Sequence, residues 1–377
     1  MSLVENLSNL KELYLDLVDM STNVDDWCKT LAQSVPRLQV LSLDGCSLNT
    51  PIHHSLLRLH SLTVINLQSN PGIAVNLFPD FFMGFANLTV LRLSHNNLEG
   101  WFPDKFFQLK NLRILDLSFN MNLLGHLPKV PTSLETLRLE GTNFSYAKPI
   151  SSSNFNMLKE LGLEGKLISK DFLTSFGLIW SLCHLELLNS ELLGDSGSNL
   201  LSWIGAHKNL TCLILSEFDF SSTKPSSISN FKNLRSLRLF GCNLTRPIMS
   251  AIGDLVDLQS LDMSNCNTYS SMPSSIGNLT NLKSLYINSP GFLGPMPAAI
   301  GNLKSLKSMV FSNCEFTGPM PSTIGNLTKL QTLEIAACRF SGPIPYSIGQ
   351  LKELRALFIE GCNMSGRIPN SIVNMTN

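Results

Sequence analysis

Four stretches near the carboxyl end decide the reading: Leu282-Lys-Ser-Leu-Tyr-Ile287, Leu306-Lys-Ser-Met-Val-Phe311, Leu330-Gln-Thr-Leu-Glu-Ile335 and Leu354-Arg-Ala-Leu-Phe-Ile359. They stand 24 residues apart and share one frame, apolar at the first, fourth and sixth positions. Apolar residues at the fourth and sixth positions, with a variable residue between them, have the two-residue period of a strand with one buried face. A single short strand cannot bury that face alone. The repeat therefore requires successive strands to lie side by side, about 4.8 Å apart, in a parallel sheet. Working outward, the frame opens fifteen times, at Leu10, Leu38, Leu62, Leu88, Leu112, Leu134, Leu158, Leu182, Leu210, Leu234, Leu258, Leu282, Leu306, Leu330 and Leu354. Most steps are of 24 residues, with extremes of 22 and 28, and all 45 signature positions are apolar. The 377 residues thus read as one array of about fifteen coils and not as two or three separate globular domains.

Eight residues beyond each opening leucine the chain must turn. That position holds Asn70, Asn96 and Asn120 in three coils, and Cys46, Cys242, Cys266, Cys314, Cys338 and Cys362 in six others. Buried there, an amide or a thiol can bond backbone groups that the turn leaves without partners. Neighbouring rungs a strand apart exceed the Cβ separation of about 3.5–4.5 Å that a disulfide prefers. These cysteines are therefore expected as buried, reduced thiols. Cys28, Cys183 and Cys212 stand off the ladder, and the sequence gives them no role.

The second half of the coil narrows the reading. It runs Phe292-Leu-Gly-Pro-Met-Pro-Ala-Ala-Ile-Gly-Asn-Leu303, Phe316-Thr-Gly-Pro-Met-Pro-Ser-Thr-Ile-Gly-Asn-Leu327, Phe340-Ser-Gly-Pro-Ile-Pro-Tyr-Ser-Ile-Gly-Gln-Leu351 and Met364-Ser-Gly-Arg-Ile-Pro-Asn-Ser-Ile-Val-Asn-Met375. Gly294, Gly318, Gly342 and Gly366 permit a turn. Pro297, Pro321, Pro345 and Pro369 end strand pairing and open a helical turn. In hexad, period and this Gly-x-Ile-Pro segment the chain resembles leucine-rich-repeat proteins, and among them the plant-specific class. The resemblance covers the whole chain, loosely in repeats five to nine and tightly from Leu234 onward. It implies an α/β repeat fold: a single solenoid over residues 1–377, a right-handed superhelix with a concave parallel β-sheet and a second short sheet.

Near the start, Asp26-Trp27-Cys28-Lys-Thr-Leu-Ala-Gln-Ser-Val-Pro36-Arg-Leu-Gln-Val-Leu-Ser-Leu43 is similar to plant receptor-like proteins of the fungal-wilt-resistance type. Those are membrane-anchored immune receptors with an extracellular solenoid, a single span and a short tail without a kinase. The resemblance implies a ligand-sensing module on the extracellular face of the plasma membrane. It would bind a peptide or protein and signal through a receptor-kinase co-receptor. Trp27 itself reads as packing its loop onto the convex side. Neither end reads as a polar cap, and no signal peptide or membrane span is evident, so the expectation is an ectodomain fragment of a longer protein. A secreted solenoid inhibitor of a pathogen wall-degrading enzyme, and an intracellular repeat region of an immune sensor, stay open as alternatives.

Composition and motifs exclude other classes. Lys plus Arg and Asp plus Glu are 28 each, so no global charge draws the chain to nucleic acid. No apolar run approaches the roughly 18 residues of a membrane span. Gly165-Lys166 lacks the rest of a phosphate-binding loop, and His53, His54 and His60 fit no standard zinc spacing. No nucleophile elbow or kinase signature is present. An enzyme is not expected, nor is a cofactor or a metal.

A ligand is expected on the concave face. Counting the opening leucine as zero, positions +3 and +5 point inward, so +2, +4 and +6 face out of the sheet. Those rows read as mostly polar and solvated, with two departures. Leu188, Ile214, Arg238 and Phe240 form an apolar patch with one guanidinium, and Tyr286 and Phe358, with Val310, form a thinner one. Asn-x-Ser/Thr sequons at Asn6, Asn87, Asn143, Asn209, Asn243, Asn278, Asn326, Asn363 and Asn374 are candidate glycosylation sites that favour an extracellular life.

Overall fold

The computed structural model describes residues 7–21, 27–50, 52–73, 81–145, 151–165, 168, 170–189 and 196–375. Within them the chain divides into two compact units, residues 1–182 and 183–377. Each coil contributes one strand where the hexad predicts it. Unit 1 carries seven, from Glu12–Tyr14 to Glu160–Glu164, and unit 2 carries eight, from His184–Leu188 to Ala356–Glu360. Within each unit neighbouring strands pair in parallel and in register, so that Leu237, Leu261 and Leu285 stand beside one another. The result is a leucine-rich-repeat solenoid with a long parallel sheet.

Of the 45 signature residues, all but Leu10, Leu15, Leu357 and Ile359 are buried. Those four belong to the first and last coils, where a neighbour packs from one side only. The Gly and Pro readings also hold. Gly294, Gly318, Gly342 and Gly366 have φ between 75° and 92°, in the left-handed region. Pro297, Pro321, Pro345 and Pro369 precede the 3-10 turns Ala298–Asn302, Ser322–Asn326, Tyr346–Gln350 and Asn370–Asn374. Short second sheets form from Leu293–Gly294 with Glu315–Phe316 and from Ser341–Gly342 with Asn363–Met364 in unit 2. In unit 1, Glu99–Trp101, Asn122–His126 and Asn143–Ser145 make a third.

The rungs bond as expected. Each donates to the carbonyl of the +5 residue one coil earlier: Asn70 Nδ2 to Leu43 O at 2.7 Å, Asn96 Nδ2 to Leu67 O at 2.9 Å, and Cys266 Sγ to Leu239 O at 3.4 Å. Asparagine does more, because its oxygen also accepts. Asn96 Oδ1 takes the Asn70 amide at 2.7 Å, and Asn120 Oδ1 takes those of Asn96 and Leu98 at 3.1 and 2.9 Å. A thiol is a poor acceptor. Beside the cysteine rungs a backbone route replaces it: the Asn243 and Asn267 amides donate to Phe218 O and Cys242 O. No disulfide joins any of the nine cysteines. Cys242 and Cys314 are held above the usual thiol range by hydrogen bonds to Cys266 and Cys338 and by burial, so both stay protonated.

Three details lie outside the sequence reading. The left-handed residue of the turn is at +7, one before the rung: Ser69, His95, Phe119, Glu217 and Ala337 all have φ between 51° and 57°. Glycines such as Gly277 face the next coil so closely that a Cβ would lie 2.5 Å from Ala299 O. Cys28 gains a role, for its sulfur accepts the His53 amide at 3.3 Å and ties the helix Trp27–Ser34 to the next coil. Trp27 is buried in that helix, while His53, His54 and His60 are exposed.

Candidate functional site

In unit 2 the +4 row runs Glu186, Ile214, Arg238, Asp262, Tyr286, Val310, Glu334, Phe358, one residue per strand. The +6 row places Ser216, Phe240 and Ser264 side by side. Phe240 is 45 % exposed and Phe358 55 %, while Leu188, Ile214 and Tyr286 are half-buried. Phe240 protrudes because both of its neighbours are serines too short to support the ring.

The structure changes the expected patch in two ways. Arg238 is not an isolated cation: its Nε lies 3.1 Å from Asp262 Oδ2 on the next strand. Ser216 separates Leu188 from Phe240, so the apolar surface is interrupted. Ile214 and Arg238 are direct neighbours, with Phe240 two residues along the same strand. Tyr286 and Phe358 are three strands apart, about 14 Å at the usual spacing, and do not form one patch.

Cys212, which the sequence left without a role, begins the strand Cys212–Ser216 on this face, paired with His184 and Ser236. Burial pushes its thiol up, although the Ser236 hydrogen bond and the Arg238 charge oppose this. It is therefore a neutral, polarisable wall and not a nucleophile. The Cys183 carbonyl accepts the Thr211 and Cys212 amides at 2.9 and 3.0 Å.

The concave face of unit 1 does not match the solvated face expected. Ser42, Asn66, Ser94, Asp116, Ser118, Glu140 and Glu164 are all buried. Hydrogen bonds within and between coils tie several of them together. Ser42 Oγ donates to Asp16 Oδ1 at 2.6 Å, Asn66 Nδ2 to Ser42 Oγ at 2.9 Å, Gln68 Nε2 to Asp116 Oδ2 at 3.2 Å and Ser118 Oγ to Asp116 Oδ1 at 2.7 Å. Ser42, Asn66, Asp116 and Ser118 thus satisfy one another without a ligand. Beside them a shallow cavity of about 290 Å³ opens between Arg92, Asp116, Arg138 and Glu160, its charges balanced.

Asn87, Asn143, Asn209, Asn243, Asn278, Asn326, Asn363 and Asn374 are all exposed and off the +2, +4 and +6 rows; Asn6 and Lys166 lie outside the described residues. Among the described residues no group of His, Cys, Asp and Glu is arranged to hold a metal ion. No helix among them is long and apolar enough to cross a membrane.

Models of leucine-rich repeats match residues 74–121, 199–317 (as a leucine-rich repeat region) and 329–351. No curated protein matches the sequence. Among solved structures, the chain is similar to the ectodomain of the plant membrane receptor kinase GASSHO1/SCHENGEN3 from Arabidopsis thaliana, solved with CASPARIAN STRIP INTEGRITY FACTOR 2. Identity is 28%, TM-score 0.59, and the match covers 92% of this chain and 41% of that one. It is also similar to a leucine-rich-repeat protein of Leptospira interrogans, at 26% identity and TM-score 0.63, covering 95% and 86% of the two chains. An internalin of Listeria monocytogenes, at 18% identity and TM-score 0.56 over 89% and 84%, shares the fold. This chain thus spans less than half the length of the plant ectodomain it resembles. With the hexads, the stacked sheet and the family matches in agreement, the chain is a leucine-rich-repeat protein similar in structure to plant receptor ectodomains.

Proposed function

We propose that this chain is the ligand-sensing recognition module of a plant cell-surface receptor-like protein of the fungal-wilt-resistance type, acting in immunity outside the plasma membrane. It binds a peptide or protein on the concave face of unit 2 and signals through a receptor-kinase co-receptor. The observation that carries the site is Phe240, a large aromatic ring held out between two serines on a rigid sheet. Aromatic residues dominate the binding energy of protein interfaces. The similar plant ectodomain was solved with a partner named as an integrity factor, which supports a recognition role over catalysis. The coil's Gly-x-Ile-Pro grammar and the exposed sequons support the plant-specific class and the extracellular setting.

The test is selection of a displayed random-peptide library on the purified chain. Phe240→Ala should weaken the selected peptides by at least about 2 kcal/mol, with the melting temperature unchanged because the ring leaves the core untouched. Ser264→Ala, one strand over, is the control. Peptides that bind Phe240→Ala normally, while that variant melts earlier, would make the ring structural and remove the site.

A further inference from the structure

Although the chain is neutral overall, the rim at the amino ends of the unit 2 strands is strongly basic. Arg235, Lys283, Lys307 and Arg355 each follow an opening leucine by one residue, and all are exposed. Their backbones form an unbroken ladder: Arg235 N bonds Thr211 O at 2.8 Å, Gln259 N bonds Arg235 O at 2.7 Å, and the pattern continues through Lys283, Lys307 and Gln331 to Arg355. One side chain is thereby presented per coil, at strand spacing. A second row, two residues before the leucine, holds Lys208, Lys232, Lys304 and Lys352, with Lys329 beside it. These segments carry nine cations against two carboxylates, Asp257 and Glu353.

Among the described residues, most of these rim charges are not neutralised by ion pairs. The salt bridges described in unit 2, Arg238–Asp262 and Arg339–Glu315, lie elsewhere. Arg235, Lys283, Lys304, Lys307, Lys329 and Arg355 have no carboxylate partner among the described residues. Where their ammoniums bond, the acceptor is neutral: Gln259 Oε1 for Lys283 at 2.9 Å, Asn326 O for Lys304 at 3.3 Å. In the same row of unit 1, by contrast, Glu135 engages both Lys159 and Arg113. Along the first coils of the unit 2 rim runs a groove of about 460 Å³, where Thr211, Asn233, Gln259 and Asn281 alternate with Lys208 and Arg235 and with one carboxylate, Asp257.

We propose that this rim binds a linear acidic polysaccharide, a sugar chain carrying carboxylates or sulfates, laid across the coils. Cations that recur every one or two coils along this ladder match a polyanion whose charges also recur along its length. The amides and hydroxyls between them suit sugar hydroxyls. The rim segments contain no aromatic residue on which bases would stack, which disfavours single-stranded nucleic acid. Val256 is their one exposed large apolar side chain, too little to enter a bilayer. The surface is separate from the concave rows, so it stands or falls independently of Phe240.

The test is affinity electrophoresis of the full chain through gels containing polygalacturonate, dextran sulfate, neutral dextran or single-stranded DNA. Asn209→Gln serves as background, because that sequon sits in the groove. Retardation by polygalacturonate or by dextran sulfate, weakening with salt, is expected, and the stronger of the two identifies the anionic group. Lys283→Gln with Lys307→Gln should weaken it about tenfold or more. Lys129→Gln with Lys224→Gln, the same charge change away from the rim, should alter it less than about twofold. Arg235→Gln with Arg355→Gln repeats the test should the first pair fail to fold. No retardation, equal loss from rim and control pairs, equal retention by neutral dextran, or tighter retention by DNA would each overturn the proposal.

Discussion

Replacing Asn120 by alanine tests whether the ladder is a structural requirement or a by-product of the turn. Its Nδ2 donates to Leu93 O at 3.0 Å, Leu117 O at 2.7 Å and Ser118 O at 3.2 Å, and its Oδ1 accepts the Asn96 and Leu98 amides. The side chain is fully buried, so water does not replace it. Two amides left without an acceptor cost about 1–3 kcal/mol each, so Asn120→Ala should lose about 2–6 kcal/mol. Asn120→Cys separates the terms: it keeps a donor for the carbonyls and lacks the strong acceptor. Its loss should fall between that of alanine and zero. Cys314→Ala removes only a weak donor, 3.6 Å from Ile287 O and 3.3 Å from Ser312 O, and should cost about 1 kcal/mol. Urea unfolding gives the totals. Native-state hydrogen exchange at Asn96 and Leu98 gives the local effect, which matters because repeat arrays lose stability coil by coil. If Asn120→Ala stays within about 1 kcal/mol of the parent, with both amides still protected, the ladder argument is wrong.

Further outcomes follow from the same geometry. His207 is buried, its ring bonded to Trp203 O at 2.9 Å, and burial lowers its pKa below the usual 6.5. Its contribution to stability should be complete above pH 6.5 and decline, by at most about 1.4 kcal/mol per pH unit, as pH falls from there toward the depressed folded value. His207→Gln should flatten that part of the melting profile, and an unchanged profile would refute the assignment. Ala337 sits at φ 51°, where an L-residue with a Cβ is strained by roughly 1–2 kcal/mol. Ala337→Gly should raise stability by about 0.5–1 kcal/mol after the greater chain entropy of glycine is subtracted. A lower melting temperature would count against it.

The sequence made the strand of each coil legible because burial there depends on residue type alone: an apolar side chain at zero, +3 or +5 has one place to go. The Gly and Pro of the second half were legible too, since few residues but glycine adopt a left-handed angle and proline lacks the N–H that strand pairing needs. The +7 turn position was not. Gly45, Gly141, Gly241, Gly361, Asn189, Asn265 and Asn313 hold it in seven coils, but Leu17, Ser69, His95, Phe119, Glu217 and Ala337 take the same left-handed angle in six others, so residue type alone does not mark it. The polar ladder of unit 1 was also hidden. Ser94 at +6 reads as a solvated serine, and only the reach of Gln68 from the neighbouring strand buries it. The basic rim escaped because its cations are cancelled in the whole-chain count by acids placed elsewhere.

Where binding energy can arise depends on which groups the free protein leaves unsatisfied. In unit 1 the concave carboxylate Asp116 is already engaged by Gln68, Ser118 N and Ser118 Oγ. A ligand there exchanges good bonds for good bonds and gains little. In unit 2 the exposed Arg238–Asp262 pair is worth only about 0–1 kcal/mol, so a ligand carboxylate can share the guanidinium at small cost and for a small return. Phe240 differs, because no partner satisfies its exposed face and covering it removes apolar surface from water. Arg238 is therefore suited to discriminate among ligands by charge, and Phe240 to hold them. A ligand that neglects the ring has little else on this face to repay the cost of association.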